Sequence, residues 1–145
     1  MTTVTGGCFC GAVRFTFDHR PMAVRVCWCR DCQYLSCGNA SVNAIFRVAG
    51  MTCTGEMSEH ASTADSGNSM RRRFCPRCGT PLFSQASSRP ELIVVRVGAL
   101  DDPETVKPQS LIWTASAPSW GPGLARLPGC AGQPPPISGA GSGAG

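Results

Sequence analysis

The chain has 145 residues, of which 42% are hydrophobic but only 7% aromatic, so the composition predicts one domain with a modest core. Ten cysteines indicate a further means of stabilisation beyond that core. No apolar run approaches the roughly 18 residues of a membrane span, and residues 1–7 lack the basic and apolar regions of a signal peptide. We therefore expect a cytoplasmic protein with reduced thiols and no membrane partner.

Short alternating or β-branched segments predict a mainly β fold with one or two short helices. The predicted strands are, in chain order, residues 12–17, 23–26, 42–48, 81–84, 92–97 and 111–113. Strand 92–97 is expected to be central because four of its six residues are β-branched. Residues 55–69 are polar and predict a loop or an exposed hairpin. The domain is expected to span residues 1–131, followed by a flexible Pro/Gly/Ala-rich tail over residues 132–145.

Seven of the ten cysteines fall into three clusters. These are Cys8/Cys10, Cys27/Cys29/Cys32 and Cys75/Cys78. In a reducing compartment, such clusters bind metal more often than they form disulfides. Two closed tetrahedral zinc sites would need eight ligands, one more than the clusters supply. Joining the two pairs gives a four-thiolate structural site, and the group of three then keeps an open fourth position, which is typical of a catalytic zinc.

Zinc at these clusters would also change the charge of the protein. The formal net charge is +4, from 13 basic and 9 acidic side chains. A four-thiolate and a three-thiolate zinc site carry −2 and −1, which lowers the +4 to +1. A nearly neutral protein lacks the net positive charge that attracts nucleic acid, so we expect no nucleic-acid partner.

The remaining cysteines and the histidines are interpreted without a catalytic role. Cys37 and Cys53 are expected to be small buried hydrophobes, and Cys130 a free thiol near the tail. His19 and His60 are expected at the surface or in loops.

Charged side chains near the clusters allow two interpretations each. Arg30 and Asp31 could orient the ligands or contact a substrate carboxylate, or they could form a salt pair behind the ligands. Residues 71–73 are three arginines that could dock an acidic thiol, although a solvated edge strand is the favoured interpretation.

Five motifs occur in an order that resembles one known family. They are Gly7-Cys8-x-Cys10-Gly11-x-Val13-Arg14, Cys27-x-Cys29-Arg30-Asp31-Cys32-Gln33, Arg73-Phe74-Cys75-x-x-Cys78-Gly79-Thr80-x-Leu82, and the segments 97–103 and 112–120. Over roughly residues 6–136, the chain is similar to the glutathione-dependent formaldehyde-activating family.

This resemblance implies a β-tent fold of small antiparallel sheets with two zinc ions. A structural zinc would bind Cys8, Cys10, Cys75 and Cys78. A second, exchangeable zinc would bind Cys27, Cys29 and Cys32. The activity implied is condensation of formaldehyde with glutathione to S-(hydroxymethyl)glutathione, which is a carbon–sulfur lyase reaction run in reverse.

One residue departs from the family pattern. Between the first two cysteines of the central cluster the family often has His, whereas this chain has Trp28. We expect this change to leave the zinc ligands intact, to remove a possible proton carrier, and to place a bulky apolar face at the open position.

Three functional hypotheses follow. The first is an enzyme that makes or breaks an adduct between a small thiol and a small aldehyde, because zinc favours the thiolate of an incoming thiol. Here Cys27, Cys29 and Cys32 are ligands and not nucleophiles. The second is a non-catalytic, zinc-stabilised binding module, which would have no use for a three-ligand metal. The third is a zinc-ribbon nucleic-acid binder, which the near-zero charge disfavours.

Overall fold

The computed structural model describes residues 2–139, within which it has ten strands and one α-helix. The strands are β1 (Val4–Gly7), β2 (Arg14–Phe17), β3 (Ala23–Cys27), β4 (Ser41–Arg47), β5 (Met51–Thr54), β6 (Ser58–Thr63), β7 (Ser69–Phe74), β8 (Pro81–Ala86), β9 (Leu92–Arg96) and β10 (Ser110–Ile112). The helix α1 covers Arg30–Leu35. Short 3-10 helices cover Val97–Ala99, Pro103–Thr105, Thr114–Ser116 and Gly121–Arg126. The predicted mainly β class with little helix is confirmed.

The strands form a three-stranded sheet in the order β1-β2-β5 and a seven-stranded sheet in the order β10-β3-β4-β9-β8-β7-β6. Every pair is antiparallel except β10, which runs parallel to β3. The fold is therefore the expected arrangement of antiparallel sheets, with one sheet larger than expected and one parallel edge strand. Strand β9 lies between β4 and β8, so the prediction of a central strand is confirmed.

The core lies between the two sheets, and its largest side chains are four phenylalanines. Phe17 of β2 stacks on Phe46 of β4 with 4.0 Å between the ring centroids. Phe15 of β2 meets the edge of Phe83 of β8 at 5.1 Å. All four side chains are almost completely buried, so the small sheet covers one face of the large one.

The opposite face of the large sheet is polar and forms the floor of a cleft. On β4, Val42, Ala44 and Phe46 pack on the core, and Asn43 and Ile45 line the cleft, as the two-residue period of a strand requires. Antiparallel pairing then places Arg25 of β3 and Arg96 of β9 directly opposite Asn43 on the same face.

Several elements were missed because their sequences carry weak signals. Strand β1 ends in two glycines, and a Cβ at Gly6 would lie 2.4 Å from the carbonyl oxygen of Ala99, so close packing requires glycine in a strand where it is otherwise disfavoured. Strand β5 has four residues and α1 has six, too few to show a period. The polar segment 55–69 forms most of the β6–β7 hairpin, which is one of its two predicted forms.

The C-terminal segment adds no regular element to either sheet. Residues 132–139 form no strand or helix, and residues 140–145 of the predicted tail lie outside the described part of the chain. No helix among residues 2–139 is long and apolar enough to cross a bilayer.

Candidate metal centres

The first centre is a four-cysteine cluster between two loops. Cys8 and Cys10 follow β1, and Cys75 and Cys78 follow β7. Their four Sγ atoms all lie within 4.8 Å of one another. The Cys10 and Cys75 sulfurs are 3.8 Å apart although 65 residues separate them in the chain. The two predicted pairs are thus brought together as the sequence analysis expects.

Backbone amides and one hydroxyl point at these sulfurs. The amide of Val13 donates to Sγ of Cys8 at 3.2 Å, and the amide of Arg77 donates to Sγ of Cys75 at 3.4 Å. The hydroxyl of Thr80 lies 3.1 Å from Sγ of Cys78 and is the main cause that lowers the pKa of this thiol to about 5. Donors aimed at sulfur stabilise thiolates, the form in which cysteine binds metal.

The second centre is a three-cysteine cluster at the end of β3. Cys27 is the last residue of this strand, Cys29 caps the N-terminus of α1, and Cys32 lies in the first turn of that helix. The three Sγ atoms lie within 4.8 Å of one another, and no fourth His, Cys, Asp or Glu among residues 2–139 joins them. Sequence analysis missed α1, which is the element that turns Cys32 back toward Cys27.

Three polar side chains lie behind Cys32. The Arg96 guanidinium donates to Oδ1 of Asn43 at 2.6 Å and to Oγ of Ser41 at 3.0 Å, and its Nη1 lies 3.9 Å from Sγ of Cys32. The pKa of the Cys32 thiol is lowered to about 5, first by its hydrogen bond with Cys27 and further by Cys29, the charge of Arg96 and the amide of Asn43, while burial opposes the shift.

The three-cysteine cluster opens into a cleft of about 560 Å³. Its cationic lining residues are Arg25, Arg72, Arg89 and Arg96, and no aspartate or glutamate among the described residues lines it. Ile45, Leu92, Val94 and Trp113 give it an apolar part. A cleft of this composition favours a small ligand with negative charge and some apolar surface.

Residues 112–116, which follow on from β10, are fixed to the cysteine loop and α1 at two points. The amide of Trp28 donates to the carbonyl oxygen of Ile112 at 3.0 Å. The side-chain amide of Gln33 donates to the carbonyl oxygen of Ser116 at 3.0 Å. Between these points Trp113 has the left-handed φ of 56°, which is strained for a bulky residue, and its 41% exposed side chain borders the cleft.

The expectation that Trp28 places an apolar face at the open position is wrong. Trp28 is only 6% exposed and does not line the cleft. Its ring lies under Gly121, where a Cβ would come within 3.0 Å of the indole. The reason is the alternation of an extended chain, which sends the side chains of Cys27 and Cys29 to one side and the intervening side chain to the other.

The two histidines lie where the sequence predicts them, whereas one of the isolated cysteines does not. His60 is exposed on β6, and His19 lies between β2 and β3 with its Nδ1 2.8 Å from Oδ1 of Asp18, as expected of surface or loop histidines. Cys130 is exposed and free. Cys53 is partly buried against the core, but Cys37 is exposed at the C-terminal end of α1, so its expected burial is wrong.

The charged residues near the cluster resolve into specific pairs. Asp31 accepts a hydrogen bond from Arg72 at 3.1 Å, which is the salt-pair alternative. Arg30 donates to Gln33 and lies over the ring of Tyr34. Residues 71–73 belong to β7, which has neighbours on both sides, so the edge-strand interpretation is wrong. Only Arg72 of the three lines the cleft.

Sequence analysis did not identify Ser41, Asn43, Arg96 or the cleft position of Trp113. The available signals were polar residues at alternate positions of strand β4 and a lone arginine that ends the apolar strand β9. Neither signal indicates which residues these side chains would contact, because the pairing of β4 with β9 depends on the tertiary structure.

Two all-cysteine clusters on a mainly β scaffold define a protein with two candidate metal sites. Residues 3–116 match the family model of the glutathione-dependent formaldehyde-activating enzyme. The chain therefore belongs to this family, and the matched segment contains both clusters.

Comparison with solved structures supports the fold. A crystal structure of a Rhodobacter sphaeroides protein aligns with a TM-score of 0.53 and 22% identity, covering 74% of this chain and 98% of that one. At this level of identity the likeness concerns the fold alone. No match to a curated protein was found.

Proposed function

We propose that the protein is a zinc-dependent enzyme of the carbon–sulfur lyase type. It forms or breaks the adduct between a small thiol, glutathione or a similar one, and formaldehyde or another small aldehyde. The observation that carries this proposal is the three-cysteine cluster, which opens into an arginine-lined cleft without a fourth protein donor among the described residues.

The donor sets of both clusters suit zinc. Cys8, Cys10, Cys75 and Cys78 would hold a structural ion, since four sulfurs close a tetrahedral site. Cys27, Cys29 and Cys32 would hold a second, exchangeable ion. Zinc bound by these three would supply the Lewis acidity that keeps an incoming thiol in its thiolate form.

The cleft residues bind and orient the substrates. Arg25 and Arg89 line the cleft and pair with no carboxylate among residues 2–139, so they can receive the carboxylates of an acidic thiol. Trp113 borders the cleft and offers an apolar surface to the substrate. In the forward direction the sulfur–carbon bond forms as the carbonyl π bond breaks, and the thiol proton ends on the new hydroxyl oxygen. The partners are small molecules.

The test is zinc-dependent consumption of formaldehyde with a panel of thiols that includes glutathione. Because thiols and formaldehyde also combine in water, the rate must exceed that of an enzyme-free control. We expect acidic thiols to react fastest, Cys29→Ser to lose the acceleration, and Cys130→Ser, which changes an exposed cysteine outside both clusters, to keep it. Two bound metals without turnover of any thiol would replace this proposal with a non-catalytic, zinc-stabilised binding module.

A further inference from the structure

Arg96 is a buried cation at the floor of the cleft. It ends β9 and is only 9% exposed. Its guanidinium donates to Asn43, its cross-strand partner, and to Ser41 two residues earlier on the same face of β4. The same nitrogen lies 3.9 Å from Sγ of Cys32, and the Asn43 amide nitrogen lies 4.0 Å from this sulfur.

No carboxylate among residues 2–139 pairs with this guanidinium. Arginines 14, 71, 72 and 73 each form an ion pair with Asp or Glu, and all four are more exposed than Arg96. A buried charge without a counter-charge is strongly unfavourable. The neighbours Ser41 and Asn43 are neutral, so within the described part of the chain the only group in contact that can carry negative charge is the sulfur of Cys32.

We propose that Arg96 is the counter-charge and positioning residue of the three-cysteine centre. Three thiolates around a divalent ion carry a net charge of −1, and the guanidinium restores local neutrality. This inference rests on the proposed function in one respect: Cys27, Cys29 and Cys32 must hold a divalent metal.

The counter-charge also favours the incoming ligand. A fourth thiolate changes the net charge of the metal centre from −1 to −2. A charge of −2 in a partly buried site is energetically unfavourable. When the charge of Arg96 is counted, binding of the fourth thiolate changes the net charge of the site from zero to −1. Arg96 therefore favours an anionic sulfur over water at the open position, and its contacts with Ser41 and Asn43 fix the guanidinium where Cys32 needs it.

The test measures metal affinity of the full chain without relying on turnover. Protein with zinc retained in the four-cysteine site is titrated with Co²⁺, and binding at the three-cysteine site is followed by thiolate-to-cobalt charge-transfer absorption. We expect Arg96→Met to weaken Co²⁺ binding about 10- to 100-fold, the range for loss of groups behind metal ligands. Arg96→Lys, which keeps the charge, should stay within a few fold. The control Arg47→Met removes an exposed arginine outside the cleft and should have no effect.

A second measurement separates this role from a merely structural one. With the three-cysteine site stripped of metal, Arg96→Met should unfold no more easily than the wild type, because replacing a buried ion by an apolar side chain is often neutral or stabilising. Asn43→Asp keeps Arg96 and the shape of the site but gives the guanidinium a carboxylate partner. It should also weaken Co²⁺ binding, and it supplies the same test should Arg96→Met not fold.

The outcomes distinguish the two proposals. A wild-type affinity for Co²⁺ in Arg96→Met and Asn43→Asp would overturn the counter-charge inference while the proposed function stands. An equal loss in Arg96→Met and Arg96→Lys would show that shape and not charge matters, and would overturn it as well. Failure of the wild type to bind a second metal would overturn both.

Discussion

Trp28 shows how one side chain between two candidate ligands can serve the fold and not the site. Cys27 and Cys29 face the cleft, and the indole between them is buried under Gly121. Glycine suits position 121, because even the Cβ of an alanine would lie only 3.0 Å from the ring. This contact fastens the 3-10 helix Gly121–Arg126 to the cysteine loop.

Replacement of Trp28 by histidine, often present at this position in the family, should therefore reduce stability without changing the metal sites. We expect Trp28→His to lower the free energy of unfolding by roughly 1–3 kcal/mol, since most of a buried apolar surface is lost. Denaturant unfolding and zinc analysis measure the two effects. Loss of a zinc equivalent in this variant would contradict the buried role of the indole.

Asp101, in the loop that follows β9, is anchored to the small sheet by its charge. Its carboxylate accepts from Nη1 of Arg14 at 2.9 Å and from the hydroxyl of Thr5 at 2.6 Å, and these bonds, Arg14 first, lower its pKa to about 2. The folded-state pKa lies below the unfolded value of about 3.9. Its contribution to stability is therefore fully present above about pH 4 and is lost as the pH falls toward 2.

Asp101→Asn should lower the midpoint of thermal unfolding by the same amount at pH 5 and at pH 8, because the carboxylate is ionised at both. Thermal scans of the variant and the wild type at the two pH values measure this difference. A difference that shrinks between pH 8 and pH 5 would mean that the carboxylate titrates in that range, against the assignment of its pKa.

At the scale of elements, the two cysteine clusters occupy different kinds of position. The four-cysteine cluster joins the end of β1 in the small sheet to the end of β7 in the large one, and its Cys75 is completely buried. The three-cysteine cluster involves β3 and α1 at one side of the cleft. Metal at the first would hold the two sheets together, whereas metal at the second holds one loop.

We expect Cys75→Ser to unfold the domain, because structural zinc supplies about 10 kcal/mol or more of folding free energy. Cys29→Ser should keep the fold and lose thiol binding. Circular dichroism and thermal unfolding of the two purified variants measure the contrast. Equal stability of the variants would rule out this division between a structural and a functional cluster.

The elements that were predictable from sequence are those with a strong local pattern. Strands β3, β4 and β9 combine alternating or β-branched residues with clear ends, and their predicted bounds differ from the observed ones by about one residue. Strand β1 was not predictable because the need for glycine at position 6 comes from close contacts with Phe15 of the neighbouring strand and with Ala99, which is distant in the chain.

The same distinction applies to the site. Candidate metal-binding cysteines follow short spacing rules imposed by a tight loop, so the sequence alone could nominate the seven that the fold gathers into two clusters. Arg96 and Asn43 meet only because β4 pairs with β9 in one register. The family resemblance suggests which cysteines are candidate ligands but gives no indication of the arginine behind them.

At the scale of the whole molecule, the unequal surroundings of the clusters predict unequal metal affinities. We expect the isolated protein to hold one tight zinc and one weak zinc, because four sulfurs close one site and three leave the other open to competing ligands. A mild chelator should remove one equivalent and leave the fold intact. Metal analysis before and after chelation, with circular dichroism, measures this. Two equally inert zinc ions would contradict it.

Part of the positive charge of the protein is concentrated at the cleft. A formal charge of +4 is small, but four arginines gather around one cleft that has no acidic lining residue among the described ones. This concentration favours a small anion over a nucleic-acid backbone, which needs an extended basic surface.

Added salt should therefore lower kcat/KM for an acidic thiol more than for a neutral one, because screening weakens the attraction to the cleft. Glutathione and its monoester form a matched pair, since esterification of one carboxylate brings the net charge to zero and keeps the thiol. An identical salt dependence for the two would show that the arginines do not act on the substrate.

Strand β10 is synthesised well after the cysteine loop that it helps to hold in place. The cysteine loop is complete at residue 32, but the contact of the adjacent Gln33 with Ser116 spans 83 residues, and the parallel partner of β3 begins only at Ser110. On the ribosome, this loop emerges long before the segment that secures it. Three reactive sulfurs therefore stay unprotected until the segment around residues 110–116 has left the exit tunnel, and the pocket is complete only then.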